Sequence, residues 1–480
     1  MTMRAGNSLD GLPLDLPEVE RCAAMPLGFR AAAAAIGIKA SGRPDLALVA
    51  TTIGQNGRPL AAAAAATFTP NAFAAAPVHL SRAHLAATMP QGGGRYGWAE
   101  AIVATSGSAN AATGAAGEAD QVRVAELLAA ATGASVDRTL LLSTGVIGTR
   151  LPLDLIEAGI AALGPTLAAT DEALEAAAVA LRTTDSRTKL ATTSLILTDP
   201  DGQSGRSIRV SGVAKGVGMI HPRMATMLAI VLTDAMVEPS VLDELLRPAV
   251  ARTWNQLSVD GDTSTNDTVF LLASGAGGSG SVQAGTHEAA ELGLAIEAVA
   301  RDLARQQAAD GEGATTLITC QVSGALDDAD ARAVARAVVS SSLVKAAAHG
   351  RDPNWGRIAG AAGNARVADR EVLVASGIAP DEAAQRAGGP ATLDPDRLRI
   401  AIAGQLVFDG ARVTRREWRS VGKAAVAGRK DEDAVYTALR SPDDLLVVAA
   451  GGPAGGFGVI VPPWYGAKAL AVTTRIGGEQ

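Results

Sequence analysis

A chain of 480 residues exceeds one ordinary core, so it holds two cores or one large layered domain with a smaller appendage. Hydrophobic residues make up 48% of it and aromatics only 3%, because much of the apolar count is alanine, in runs such as Ala31 to Ala35 and Ala61 to Ala66; such small side chains imply closely approaching helices and sheets. A formal charge of -7 without a lysine- or arginine-rich block argues against a nucleic-acid partner, which needs a concentrated basic face.

The two cysteines, Cys22 and Cys320, are too few for a disulfide scaffold and lack CxxC spacing. The five histidines are scattered, with only His79 and His84 near one another, so neither a metal nor a cofactor site is expected. The opening residues MTMRAGNSLDG lack the apolar stretch of a signal peptide, and no segment reaches the roughly 18 to 20 apolar residues of a membrane span. A cytoplasmic protein is the expectation.

In chain order, DLALVATT (Asp45 to Thr52), AIVATSG (Ala101 to Gly107) and TLLLSTGVIG (Thr139 to Gly148) are short apolar runs suited to buried strands. Helical spacing of alanine and leucine predicts helices over Glu118 to Thr132, Pro152 to Leu163 and Thr170 to Leu181. A helix over Pro239 to Ala251 then leads through the polar stretch SVDGDTSTNDT (Ser258 to Thr268) to the strand-like VFLLASG. Gly275 to Gly285 reads as a linker, followed by a helix over His287 to Ala309, a strand over Thr315 to Val322 and a helix over Asp328 to Ser341. Beyond a boundary near Ser342, RLRIAIAGQLVFDG and DLLVVAAG supply strands of a smaller C-terminal unit. The predicted class is α/β (α+β), with a layered catalytic domain over 1–341 and a smaller domain over 342–480.

The most unusual segment is GVAKGVGMIHPRMATMLAIVLTDA, Gly212 to Ala235. Glycines at 216 and 218 permit backbone conformations forbidden to other residues, and a strained bond before a hydroxyl residue is what an N-to-O acyl shift needs. Scission of Ala225–Thr226 would free an α-amine on Thr226, with a pKa near 8, to serve as base for its own hydroxyl. On local composition alone the segment reads rather as a tight turn before a buried helix or strand.

Several separate stretches decide between these readings: GFRAAAAAIGIKASGRPDLALVAT, APVHLSRAHL, TSGSANAATG, STGVIG, TTDS, AKGVGMIHPRMATML, SVDGDTSTNDTVFLLASG, DGEGAT and GRDPNWGRI. Together they closely resemble the ornithine acetyltransferases, or bifunctional glutamate N-acetyltransferases, from about Gly28 to the C-terminus. The resemblance implies that Thr226 is the acyl-accepting nucleophile, that Ala225–Thr226 is the self-cleavage site, and that Thr144 and Gly145 form the oxyanion hole. It places Thr183, Lys215 and Glu312 against the amino-acid substrate; a cationic Lys215 suits a carboxylate, and Glu312 suits an ammonium or helps to position Thr226. It sets the polar loop Asp260 to Asp267 near the site, although DGDTSTND is equally a structural turn and lacks EF-hand order. Arg357 in DPNWGRI is a further carboxylate contact or a salt-bridge partner of Asp352 or another acid. By the same resemblance the two cleavage fragments stay together as a heterotetramer and act on small amino-acid substrates.

The chain also departs from the family. His221 and Arg223 replace its usual alanine and asparagine beside the scissile bond. In the C-terminal segment Ala469 falls where the family has an asparagine, while Thr474 keeps the pocket-closing threonine. Val459, Ile460 and Val461 replace an acidic stretch, and residues 475–480 extend past the usual end. The expected activity is ping-pong transfer of acetyl from N2-acetylornithine to L-glutamate. A paralogue with another amino-acid substrate, an N-terminal-nucleophile amidase or aminopeptidase, and an uncleaved binding protein are the rivals.

Overall fold

The computed structural model describes residues 16–198, 205–221, 227–278, 280–350, 352, 354–402, 405–410, 445–450 and 470–473. These divide into two compact units, one of residues 16–250 and 262–307, the other of 251–261 with the described residues from 308 onward.

The larger unit carries strands β1 (Phe29–Ala34), β2 (Leu46–Thr51), β3 (Ala62–Phe68), β4 (Tyr96–Ala99), β5 (Ala101–Ser108), β6 (Thr139–Val146), β7 (Lys189–Thr198), β8 (Gly205–Lys215), β9 (Leu228–Thr233) and β10 (Thr268–Ala273). Interspersed are helices α1 (Ala76–Thr88), α2 (Gly114–Thr132), α3 (Leu153–Leu163), α4 (Asp171–Leu181), α5 (Pro239–Arg252) and α6 (His287–Ala309). The strands form a four-stranded sheet, β1-β2-β5-β6, and a six-stranded sheet, β4-β3-β10-β9-β8-β7.

Strand periodicity builds the layers. In the four-stranded sheet Ala47, Val49, Ile102, Ala104, Leu140 and Leu142 enter one core cluster with Ile230, Leu232, Phe270 and Leu272 of the six-stranded sheet. Their neighbours Leu46, Leu48, Ala101, Val103 and Leu141 enter a second, with Val124 and Leu128 of α2 and Ile156 and Ile160 of α3. Alternate residues point to opposite faces, so this sheet is buried on both. Val78 and Leu85 of α1 and Leu174 and Leu181 of α4 share the first cluster, which makes the unit a layered sheet-and-helix sandwich. On the six-stranded sheet α6 approaches so closely that a Cβ on Gly212 would stand 2.7 Å from Leu303 and 2.8 Å from Val299.

The predicted strands at 45–52, 101–107 and 139–148 and the predicted helices from 118 to 309 are present as β2, β5, β6 and α2 to α6. The alanine runs, which had no predicted element, are strands β1 and β3. Every residue of β3 is buried, and its contacts with β4 and β10 override alanine's poor strand propensity. The hairpin β7–β8, paired from Lys189↔Ala214 to Thr198↔Gly205, was also without a prediction.

The other unit carries β11 (Ile318–Ser323), α7 (Asp328–Ser340), α8 (Ser342–His349), α9 (Trp355–Gly363), β12 (Arg399–Ile402), β13 (Gln405–Asp409), β14 (Leu445–Ala450) and β15 (Leu470–Thr473). Its sheet runs β13-β12-β14-β11-β15 over a core that includes Ile318, Cys320, Val334, Val338 and Ile400; burial pushes the Cys320 thiol up. The division at 307/308 lies upstream of the expected boundary near Ser342, for a topological reason. Strand β11 pairs in parallel with β14 and β15, so it belongs to the C-terminal sheet. No break occurs at 342, where the Ser341 hydroxyl accepts from Val344 N and caps α8.

Candidate active site

Strand β6 leaves the core at its C-terminal end, with Leu140 to Ser143 buried and Thr144 half-buried. Its register with parallel β5 sets Ser106 beside Thr144 and Gly107 beside Gly145. Gly145 has φ +135°, and a Cβ there would stand 2.3 Å from the Gly107 carbonyl carbon. Only glycine fits at this position, which is exposed where the strand opens to solvent.

Lys215 ends β8, paired with Leu228 at the start of β9. Its Nζ donates to Thr144 Oγ1 at 3.2 Å. An ammonium can only donate, so the Thr144 oxygen accepts and its own O–H is turned elsewhere, polarised by the adjacent cation. Gly216 follows at φ +139°, with a hypothetical Cβ 3.3 Å from Met227 Cβ. Met219, at φ +54°, holds a left-handed conformation uncommon outside glycine. Thr144, Lys215, Gly216, Met219, Met227 and Asn266 line one recess.

Behind it stands a carboxylate that the sequence did not single out. Asp185 Oδ1 accepts from Lys189 Nζ at 2.6 Å and from Gly216 N at 2.8 Å, and Oδ2 accepts from Thr183 N at 3.0 Å. Asp185 is 2% exposed and Lys189 0%. Burial alone would raise the Asp185 pKa; Lys215, Lys189 and the Gly216 N–H outweigh it and hold the carboxyl well below the usual carboxylate range. One carboxylate thus fastens the Thr183 turn to the Lys215–Gly216 turn. Lys39 steadies the approach to Thr183 by donating to the Pro44 carbonyl ahead of β2 and to the carbonyls of Ala180 and Arg182 at the end of α4, and burial lowers its pKa to about 8. The available signal was an aspartate inside TTDS, four residues before a lysine that opens an apolar run.

Removing this charge should be costly. Asp185→Asn leaves the buried Lys189 ammonium facing a neutral amide, and breaking a buried pair by neutralising one partner costs about 3–5 kcal/mol. Denaturant unfolding of the variant is expected to show that loss, and an unchanged midpoint would refute it.

Thr144, Gly145, Thr183 and Lys215 are therefore brought together, directly or through Asp185. Ala225, Thr226, Arg223, Ala469 and Thr474 lie outside the described residues. Glu312 is exposed on the turn at 311–314 of the other unit, where Ala314 N donates to Gly311 O. Arg357 Nη1 donates to the Leu343 carbonyl, while Asp352 accepts from Asn354; a contact to the backbone of α8 thus stands in place of the expected Arg357–Asp352 pair. Of the polar loop, Ser264, Asn266 and Asp267 reach the recess.

The ArgJ family model matches residues 30–409. The chain belongs to the ArgJ family. The arginine biosynthesis bifunctional protein ArgJ of Thermosynechococcus vestitus is 44% identical over 383 residues, 79% of this chain and 84% of that protein. The protein of the same name from Thermus thermophilus is 42% identical over 387 residues, 81% of this chain and 86% of its own length. An ornithine acetyltransferase structure from Mycobacterium tuberculosis, complexed with ornithine, shares 38% identity over 43% of this chain and 97% of that one, with a TM-score of 0.35. This ArgJ-family chain is an N-acetyltransferase. The family match stops at 409, upstream of the divergent tail with Ala469 and Thr474. Among the described residues, no helix is long and apolar enough to cross a membrane.

Proposed function

We propose that this ArgJ-family enzyme transfers acetyl from N2-acetylornithine to L-glutamate through an ester on Thr226, after cleaving its own Ala225–Thr226 bond. The observation that carries the reading is the convergence of Thr144, Gly145's strand end and Lys215 on a recess lined by Met227, the residue bonded to Thr226.

In maturation the Thr226 hydroxyl attacks the Ala225 carbonyl carbon, the C–N bond breaks and an ester forms; water then releases a carboxylate on Ala225 and a free amine and hydroxyl on Thr226. In catalysis that amine takes the hydroxyl proton as the oxygen attacks the donor's acetyl carbonyl, then returns a proton to the departing ornithine amine. Glutamate's amine attacks the acetyl ester, and Thr226 is regenerated. Each step passes through a tetrahedral oxyanion, for which the polarised Thr144 O–H and the Gly145 N–H are suited donors, each worth roughly 3 kcal/mol. Thr183 and Lys215, with Glu312 and Thr474, are the proposed contacts to the amino-acid part of the substrate. The two fragments act as a heterotetramer in the cytoplasm.

Intact mass tests the proposal: two fragments split at 225/226, with the C-terminal one gaining an acetyl group from N2-acetylornithine. An unmodified 480-residue mass would overturn it. Lys215→Met is expected to lower kcat/KM about 100-fold, because it removes both a cation and the hydrogen bond that polarises Thr144; steady-state kinetics on the processed variant check this. A second reading, a paralogue for another amino acid, is favoured by the family match ending at 409 and by Ala469 in place of asparagine. It predicts faster acylation by a different N-acetylamino acid when donors compete.

A further inference from the structure

Asn266 lines the recess and is 7% exposed. Its Nδ2 donates to Ala109 O at 2.6 Å and to Ser143 O at 2.8 Å, and its Oδ1 accepts from Thr265 Oγ1 at 2.6 Å. Both amide protons face carbonyls, so the orientation of the side chain is dictated: turned over, its oxygen would meet two other oxygens. The Ser143 carbonyl lies in the same rigid peptide plane as the Thr144 N–H. Holding that oxygen fixes the direction in which the chain enters Thr144 and Gly145. Two residues after Asn266, Thr268 N donates to Met227 O at 2.8 Å. The tripeptide 266–268 therefore grips the end of β6 with a side chain and the residue after Thr226 with its backbone.

We infer that Asn266 is a positioning residue that holds the oxyanion donors of β6 in register with the strand that follows Thr226. The inference rests on the assignment of Thr144 and Gly145 as those donors. Asn266 touches no reacting atom; it acts through the Ser143–Thr144 peptide. Because the same donors serve maturation and acetyl transfer, their displacement slows both, and a misplacement near 1 Å costs about 100-fold.

The test uses the full chain carrying Asn266→Ala, with Asn266→Ser as a milder variant that keeps one polar donor in place of the amide, and Thr144→Val in parallel. Self-cleavage is followed over time by gel. Acylation of the processed fraction by N2-acetylornithine is followed in a single turnover by mass, giving a rate constant and an amplitude. The expected result is a fall of about 10- to 100-fold in both rate constants, smaller for serine than for alanine, with the KM for donor and the acetyl amplitude per processed chain unchanged. A residue that merely supports the fold would lower the amplitude and the melting temperature and leave the rate constants alone, which overturns the inference. Should the alanine variant fail to fold, a serine variant with wild-type rate constants also overturns it. If Thr144→Val is slow while both Asn266 variants are fast, only this inference fails; if Thr144→Val is itself fast, the oxyanion assignment fails and takes the inference with it.

Discussion

Thr226→Ala is expected to leave the protein as a single 480-residue chain of 48.3 kDa, where the parent, on the proposed maturation, is expected to separate into fragments of 225 and 255 residues (480 − 225 = 255). The acyl shift needs a hydroxyl oxygen to take over the Ala225 acyl group, and alanine has none. Acetyl transfer should fall on the order of 10⁶-fold, the size of effect seen when a nucleophile is deleted from a site whose remaining groups only bind and polarise. Thr226→Ser separates the chemistry from the packing. Serine keeps the oxygen and loses one methyl group, so cleavage and acylation should both persist at reduced rates. Gel mobility and intact mass, before and after N2-acetylornithine, read both variants. A Thr226→Ala chain that still splits between 225 and 226 would remove Thr226 from the mechanism.

Much of the layered fold was legible in the sequence, and the reasons divide by residue type. Strands β2, β5 and β6 were readable because leucine, valine and isoleucine supply runs such as LLL at 140–142 that fill cores on both sheet faces. Strands β1 and β3 were not, since alanine's intrinsic preference is helical and only tertiary placement, of Ala31 to Ala34 beside β2 and of Ala62 to Ala66 between β4 and β10, makes them strands. The unit boundary was misplaced because parallel pairing of β11 with strands more than 100 residues onward leaves no local trace.

The site was legible to a different degree. Thr144, Gly145, Thr183 and Lys215 came from motif resemblance, which marks residues and says nothing of their mutual contacts. That Lys215 donates to Thr144 across 71 positions is a property of how β8 and β6 end near one another. A cation expected to face a substrate carboxylate is thus also a hydrogen-bond donor to Thr144, the proposed oxyanion donor. Asp185 and Asn266 sat inside recognised motifs, TTDS and STNDT, yet polar residues in turns are so commonly structural that nothing local set them apart.

Gly145→Ala is expected to produce a folded chain that fails to mature. The added Cβ would meet backbone on the neighbouring strand, at 2.3 Å from the Gly107 carbon and 2.4 Å from its oxygen. Unlike a side-chain tip, that peptide cannot swing aside, because Gly107 is held in the parallel β5–β6 ladder and a Cβ on it would already stand 2.6 Å from Ile38. A φ of +135° is also outside what alanine tolerates. The end of β6 must therefore turn, carrying the residue 145 N–H and the Thr144 hydroxyl away from the developing oxyanion, so loss of one or both donors slows cleavage by at least about 10²–10³-fold. Gly148→Ala is the control from the same loop. Its φ is also positive, at +86°, but nothing lies within 4 Å of the added Cβ, so only the backbone preference is lost, about 1 kcal/mol. Cleavage followed over time should be blocked in the first variant and nearly normal in the second. Equal rates in the two would show that backbone conformation in this loop, and not the donor at 145, limits maturation.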